Sequence, residues 1–318
     1  MCKFNIVPAA LLLCVSAAVA QEFPSRPVRI IAPFPPGGAA DIIARTLAQP
    51  LSRAFGQSVI VENRPGANTA IGAEIVARAP ADGHTILIIA PSFTINPFAR
   101  AKLPYDTFKD FAGITRAVSN AIVIAVHPSL PVKSVKELIA LARARPGELT
   151  FGTASILGGQ RLAGELFREA VGIQITNVPY NGGAPATTAA MGGHTSMLVS
   201  NVVESAPQVL AGRLRGIAVT SLVRTDVLPN VPTVAESGYP GFEALNWFGA
   251  VARTAPKPLI DKLNAEILRA LELPEVKDQM ARQGMTPAPL SPAEFDAYLR
   301  AEAQRNERII RSLNLKID

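Results

Sequence analysis

The sequence predicts an α/β protein made of two lobes, and three observations support this prediction. Short apolar strands alternate with amphipathic helices along most of the chain, a pattern typical of parallel sheets built from strand–helix–strand units. One local pattern, an apolar strand followed by a glycine-rich loop and an amphipathic helix, occurs at residues 28–47 and again at residues 149–167. At 318 residues the chain is also long enough to form two hydrophobic cores.

The N-terminal segment has the features of a secretory signal peptide that spans residues 1–20 and is removed after Ala20. Lys3 supplies the positive start, residues 9–15 form the apolar run, and residues 18–20 form a small-x-small cleavage site. The run is far shorter than the ~20 residues that a membrane-spanning helix needs. Lipid attachment at Cys14 is disfavoured because two leucines precede it. We therefore expect an exported, soluble protein.

Composition excludes several classes of function. The formal charge is +6, and with 18% charged and 6% aromatic residues the chain shows no basic stripe with stacking aromatics, so no nucleic-acid partner is expected. Cys2 and Cys14 both lie in the signal segment, so the mature chain can form neither a disulfide nor a cysteine metal site. No histidines or carboxylates share a helix face at ligand spacing, and the nucleotide-binding glycine motifs are missing from the sequence. No metal and no cofactor are therefore predicted.

The first lobe is predicted from an N-terminal set of strands and helices. A helix through Asp41, Ile42, Arg45 and Leu47 follows the first strand, and a second helix covers 71–79. Residues 85–89 are continuously apolar, which is typical of a strand buried on both faces. The predicted strands of this set are 28–32, 59–61 and 85–89.

A new set of elements begins with the apolar strand 122–126 and predicts the second lobe. Its helices are expected at 135–143, 161–171, 184–191 and 205–211, and its further strands at 149–151, 175–178, 197–199 and 216–219. From residue 248 onward the chain is expected to be mainly helical, with apolar spacing at Leu259, Leu263, Ile267 and Leu271. We therefore assign residues 21–121 plus 249–318 to the first lobe and 122–248 to the second, joined by two crossings.

The two glycine-rich loops, 34–38 and 152–159, are candidate anion sites. Each is expected to present backbone N–H groups at the positive end of a helix dipole. Glycines also serve simple strand-to-helix turns, so the loops could be turns and nothing more. A third loop at 179–183 joins another strand to a helix, and loops at the carboxyl ends of strands are where open α/β sheets bind ligands. Two such sites on separate halves suggest a clamp.

A serine hydrolase is the alternative from another class of protein, with Ser155 as the nucleophile and a histidine as the base. Thr153 and Leu157 stand where a nucleophile elbow requires glycines. The three histidines of the sequence all fall at expected loops or turns. We therefore expect no enzymatic activity.

Five segments of the chain carry a resemblance to a known family, and they run in order through the mature sequence: 34–38 (FPPGG), 62–66 (ENRPG), 162–167 (LAGELF), 178–182 (VPYNG) and 232–239 (PTVAESGY). The chain resembles the extracytoplasmic solute receptors of tripartite tricarboxylate transporters, also called Bug-type or TctC-type receptors. The resemblance implies a two-lobed type II periplasmic-binding-protein fold, each lobe a mostly parallel sheet flanked by helices, with the ligand cleft between the lobes. It implies a periplasmic, monomeric receptor for a small organic acid, with the membrane subunits of a tripartite transporter, or a sensor protein, as its partner.

The resemblance also implies the site residues. Capture of a ligand carboxylate is assigned to the first glycine loop, through Phe34, Pro36, Gly37, Gly38 and Ala39. The opposite wall is assigned to Thr153, Ala154, Ser155, Tyr180, Asn181, Gly182, Ser200 and Asn201. By position after the apolar strand, the first lobe is expected to add Ser92, Thr94 and Asn96.

Two departures from the family pattern bear on the ligand. Arg161 stands where the family often has histidine, and Ser196 stands where an aspartate is common. If both side chains face the cleft, the site has gained a positive charge and lost a negative one, which disfavours amino-bearing ligands and favours an organic acid with an apolar or aromatic body. Arg161 could equally point outward from the first turn of its helix.

Overall fold

The computed structural model describes residues 23–312 and 315, and the predicted signal segment lies outside them. The N-terminal part of the fold alternates strands with helices. Its strands are β1 (Val28–Ala32), β2 (Val59–Asn63), β3 (Thr85–Ile89) and the long β4 (Phe111–Val126). Its helices are α1 (Ala39–Phe55), α2 (Ala70–Ala77) and α3 (Ser92–Ala99).

The middle of the chain repeats this alternation and forms the second lobe. Its strands are β5 (Thr150–Thr153), β6 (Thr176–Pro179), β7 (Met197–Asn201) and β8 (Arg215–Val219). Its helices are α4 (Val135–Ala144), α5 (Gly159–Val171), α6 (Gly183–Met191) and α7 (Val202–Leu210).

The C-terminal part returns to the first lobe. Its strands are β9 (Leu245–Arg253) and β10 (Met285–Pro287), and its helices are α8 (Lys257–Glu272), α9 (Pro274–Arg282) and α10 (Pro292–Ser312). Among residues 23–312, no helix is both long enough and apolar enough to cross a membrane.

The two lobes share one order of strands. In the first lobe β2, β1 and β3 are parallel neighbours, followed by the antiparallel β9 and then β4. In the second lobe β6, β5 and β7 are parallel neighbours, followed by the antiparallel β4 and then β8. The two copies of the strand–loop–helix pattern therefore occupy equivalent positions, because β1 and β5 are each the middle strand of a parallel trio. The predicted two-lobed α/β fold is confirmed.

Strand β4 passes from one lobe into the other. Its residues 111–121 pair with β9, whereas residues 122–126 pair with β7 and in part with β8. The predicted lobe boundaries at 121/122 and 248/249 fall inside β4 and β9 and stay a prediction.

Apolar side chains cover both faces of the sheet in each lobe. Successive side chains of a strand point to opposite faces. Ile86 and Ile88 accordingly belong to one apolar cluster, while Leu87 and Ile89 belong to another on the other side. This is the burial expected for the continuous apolar run at 85–89.

Three parts of the fold depart from the predicted elements. Helix α3 was not expected, since Pro97 lies inside it and it is only eight residues long. The first half of β4 is interrupted by glycine, serine and asparagine, which hides its strand character. The expectation that the chain is mainly helical from residue 248 is wrong for β9, which is held by pairing with β3 and β4, strands distant in sequence.

Candidate ligand-binding site

The candidate site lies where loops at the carboxyl ends of strands from both lobes meet. In the first lobe the chain runs from the middle strand β1 to β2 on one side and then to β3 on the other, and in the second lobe it runs from β5 to β6 and then to β7 in the same way. The order of the strands therefore reverses at β1 and at β5, and such a switch point is where open α/β sheets bind ligands. Phe34 follows β1 and Ser92 follows β3 in the first lobe. Ser155 follows β5 and Asn201 ends β7 in the second, and all four residues line one cavity.

This site consists of two adjacent cavities, which share Phe34, Ala154 and Ser155. The inner cavity has about 30 Å³, room for about two water molecules. It is lined by Phe34, Gly38, Ala39, Ala40, Ala90, Pro91, Ser92, Ala154, Ser155, Gly158, Gly159, Gln160, Gly183, Asn201, Glu204, Asn246 and Phe248. The outer cavity has about 260 Å³ and is lined by Pro33, Phe34, Pro35, Pro65, Gly66, Asn68, Thr69, Ala154, Ser155, Ile156, Pro179, Tyr180 and Asn181.

The structure brings many of the predicted site residues together at these cavities. Phe34, Gly38, Ala39, Ser92, Ala154, Ser155 and Asn201 line the inner cavity. Tyr180 and Asn181 line the outer one. The remaining predicted residues line neither cavity: Pro36, Gly37, Thr94, Asn96, Thr153, Arg161, Gly182 and Ser200. Whether any of these residues contacts a ligand stays a prediction.

Asp41 shapes the first glycine loop. Gly37 has a left-handed backbone (φ +80°), and its N–H donates to Asp41 Oδ2 at 3.0 Å. Arg45 Nε at 2.9 Å and Asn63 Nδ2 at 3.0 Å donate to Asp41 Oδ1. Burial alone would raise the pKa of Asp41, but the hydrogen bonds from Arg45, Gly37 and Asn63 outweigh it and lower that pKa below its ordinary value. The ionised carboxylate therefore holds the loop in place at neutral pH.

The segment before α2 carries unusual backbone conformations at the wall of the outer cavity. Ala67, Asn68 and Thr69 all have positive φ, between 48° and 77°. Non-glycine residues in this region store strain, which is common at ligand sites. Asn68 Nδ2 donates at 2.8 Å both to Asn96 Oδ1 and, across the lobes, to the carbonyl oxygen of Leu157. Asn96 thus supports the wall from behind. In the sequence, the proline and glycine at 65–66 predict a loop, but they do not predict the positive φ angles of residues 67–69.

The opposite wall is held by backbone hydrogen bonds between two loops of the second lobe. Tyr180 N–H donates to Thr153 O at 2.8 Å, and Gly182 N–H donates to Ala154 O at 2.7 Å. Gly182 has φ +130°, and a Cβ built on it would lie 2.8 Å from Pro35 Cδ. The two lobes therefore meet at Gly182 and Pro35.

Glu204, on α7 of the second lobe, is a site residue that sequence reasoning missed. Its Oε1 accepts from the Ala39 N–H of α1 at 3.0 Å, across the lobes. Its Oε2 accepts from Ser200 Oγ at 2.7 Å, Asn201 Nδ2 at 3.0 Å and Gln160 Nε2 at 3.3 Å. Burial raises the pKa of Glu204, and the hydrogen bonds oppose that rise only in part. The one signal in the sequence is an acidic residue shortly after a polar strand end.

The charges predicted for the cleft are not those found there. Arg161 Nη2 pairs with Glu165 at 2.6 Å, and its guanidinium lies 5.9 Å from the ring centre of Phe151, outside both cavities. Ser196 exchanges hydrogen bonds with Thr150 where β5 begins, at the opposite end of that strand from the site. Because neither side chain lines these cavities, the condition for a gained positive and a lost negative charge is not met in them, and the inner cavity instead contains the carboxylate of Glu204.

The three histidines of the sequence all fall within residues 23–312, and none of them lies beside Ser155. His84 is buried, and its Nε2 accepts from the Ser25 N–H at 3.2 Å. His127 Nδ1 is hydrogen-bonded to Ser129 Oγ at 2.7 Å. Neither of these residues, nor His194, lines the inner or the outer cavity. The structure thus shows no pairing of Ser155 with a histidine base.

Comparison with known proteins agrees with this architecture. Residues 43–315 match the model of the tripartite tricarboxylate transporter family receptors. Protein BugT of Bordetella pertussis is 34% identical over 94% of this chain and 92% of its own. Rpa4515 of R. palustris, solved with adipate, is 33% identical with a TM-score of 0.89 and covers 93% of this chain and 99% of its own.

MatC from Rhodopseudomonas palustris, solved with bound malate, is 27% identical with a TM-score of 0.83 and covers 91% of this chain and 100% of its own. These three relatives each cover at least 91% of this chain, so the similarity extends over both lobes. The chain belongs to the tripartite tricarboxylate transporter family of receptors.

Proposed function

We propose that this protein is an exported, non-enzymatic receptor that captures a small organic carboxylate between its two lobes and delivers it to a tripartite membrane transporter. The observation that carries the proposal is the outer cavity, which both lobes line. Among the described residues that line it there is no aspartate, glutamate, lysine or arginine. Its polar groups are the side chains of Asn68, Thr69, Ser155, Tyr180 and Asn181 together with loop backbone.

Such a lining suits an anion that is held without a buried cation. A carboxylate loses several kcal/mol on burial unless hydrogen bonds replace its water. The N-terminal ends of α2 and α6 border the outer cavity, through Thr69 and Asn181. Helix N-termini provide N–H donors and stabilise an anion by roughly 0.3 to 2 kcal/mol each. Neutral donors and helix dipoles are thus sufficient for capture.

Contacts across the lobes support capture by closure. Asn68 reaches Leu157, Ala39 reaches Glu204, and Gly182 packs against Pro35. A ligand that touches both walls stabilises the closed arrangement by its differential affinity for it. The closed shape is then a surface that membrane subunits can recognise.

The relatives support the class of ligand and the location. The solved neighbours hold adipate and malate, both dicarboxylates, and another neighbour, 36% identical, is described as a periplasmic transporter. Together with the signal-like residues 1–20, this supports a periplasmic receptor, which we propose acts as a monomer.

Thermal unfolding of residues 21–318 tests the proposal, after refolding to remove any bound ligand. The panel contains adipate, malate and benzoate, each paired with its uncharged amide. We expect saturable stabilisation by at least one acid, reaching about 2.7 kcal/mol at 100 times Kd, and none by its amide. Ser155→Ala is expected to weaken this effect, whereas Ser129→Ala, at an exposed site bonded to His127, leaves it unchanged. Equal stabilisation by the amides contradicts the proposal, and so does silence across the panel when it is extended to amino-bearing organic acids.

A further inference from the structure

We infer that the inner cavity receives a primary ammonium group of the ligand and that Glu204 is the residue that selects it. This inference rests on the proposed function, since it places the ligand carboxylate in the outer cavity and adds a cationic group at the inner end. The ligand class is then an organic acid whose carbon chain carries an amino group away from the carboxylate.

The carboxylate of Glu204 occupies the position at which an anionic ligand group would meet helix α1. Its Oε1 accepts the N–H of Ala39, the first residue of that helix, at 3.0 Å. It also packs directly against Gly183, the first residue of α6, where no Cβ would fit. A second carboxylate brought to this end by a ligand would face Glu204 at close range, and like charges repel strongly away from water.

The side-chain amides of two asparagines are arranged so that a second hydrogen-bond acceptor, besides Glu204, lies at the inner cavity. Ionised Glu204 can only accept hydrogen bonds, so Asn201 presents its Nδ2 to it at 3.0 Å and turns its Oδ1 away. Asn246 Nδ2 donates to that Oδ1 at 2.8 Å. The Oδ1 of Asn246 is then left without a hydrogen-bond partner, although this residue is only 4% exposed and lines the inner cavity.

The described residues that line the inner cavity therefore include no lysine, arginine or histidine. Glu204 is 9% exposed and forms no ion pair with any lysine, arginine or histidine of residues 23–312. A buried charge without a partner is costly, and so is a buried acceptor without a donor. A primary ammonium group carries one positive charge and three N–H donors, so it can meet both Glu204 and Asn246 Oδ1.

Matched ligands of equal carbon number test the inference by calorimetry at pH 7 and low salt. The pairs are adipate with 6-aminohexanoate, glutarate with 5-aminopentanoate and succinate with 4-aminobutanoate. In the wild-type protein we expect the best amino acid to bind at least about tenfold more tightly than its dicarboxylate partner, about 1.4 kcal/mol. In Glu204→Gln, which keeps the side-chain shape but removes the charge, the preference is expected to disappear or to reverse.

Other outcomes of these measurements would overturn the inference, and one of them would overturn the proposed function as well. Tighter wild-type binding of the dicarboxylates overturns this inference and leaves the receptor proposal standing, and it needs no variant. Equal binding of 6-hydroxyhexanoate and 6-aminohexanoate also overturns it, because a neutral donor then suffices. An unchanged preference in Glu204→Gln shows that another residue selects the ligand. Silence of every acid in both this series and the thermal panel overturns the inference and the proposed function together.

Discussion

Replacing Gly182 with alanine adds a methyl group where the two lobes meet. Gly182 has φ +130° and ψ 161°, a region that only glycine adopts readily. The added Cβ would lie 2.8 Å from Pro35 Cδ and 3.1 Å from Pro35 Cγ. Pro35 is followed by Pro36 in a stiff loop, so it cannot move aside as a flexible side chain would.

The variant is expected to show two separable costs. Backbone strain of about 1–3 kcal/mol lowers the free energy of unfolding whether or not the lobes are closed. The overlap with Pro35 exists only when the lobes meet, and overpacking of this kind costs about 1–3 kcal/mol. Ligand binding that depends on closure should therefore weaken by about 5- to 150-fold.

Gly238→Ala is the matched control. Gly238 has φ +105°, but a Cβ built on it has no heavy atom within 4 Å. Gly238→Ala therefore has backbone strain, as Gly182→Ala does, but its added methyl group overlaps no neighbouring atom. Urea unfolding measures the first cost, and calorimetry with the acid that stabilises the wild-type protein most measures the second. If the two variants bind that acid equally well, closure at Gly182 and Pro35 is not part of capture.

Three further predictions concern stability. Two hydrogen bonds from Arg29, at 2.6 and 3.0 Å, together with one from Arg64, at 3.0 Å, lower the pKa of Glu62 to about 2. Glu62→Gln is therefore expected to lose about 1 kcal/mol at pH 7. In urea unfolding that loss should shrink as the pH falls from about 4.5 to about 2. Phe167→Ala removes a fully buried ring and should lower the free energy of unfolding by about 3–5 kcal/mol in urea, and a loss below 1 kcal/mol would contradict the packing. Because burial raises the pKa of Glu204 in the folded state, the wild-type protein should lose stability relative to Glu204→Gln as the pH rises above about 4.5, and parallel curves would refute this.

Local patterns were sufficient to predict most elements and the loops of the site. The strand 85–89 is recognisable because its four consecutive apolar residues, 86–89, are typical of a strand that is buried on both faces. The loops that contain Phe34, Gly38 and Ser155 were predicted because they follow strands whose carboxyl ends meet, whereas the choice of these residues came from the family resemblance. Pairings with distant strands escaped prediction, as β9 shows, since no local period reveals a partner in another part of the chain.

The sequence by itself determined the class of the molecule: two α/β lobes, glycine loops at strand ends and membership of a receptor family. These properties follow from short-range periodicity and from motifs, which can be read along one chain. Only the tertiary structure decided the charge of the site. It brings Glu204 to the N-terminus of α1, 165 residues away in sequence. Contacts of this kind arise from the packing of one lobe on the other, which local patterns do not encode.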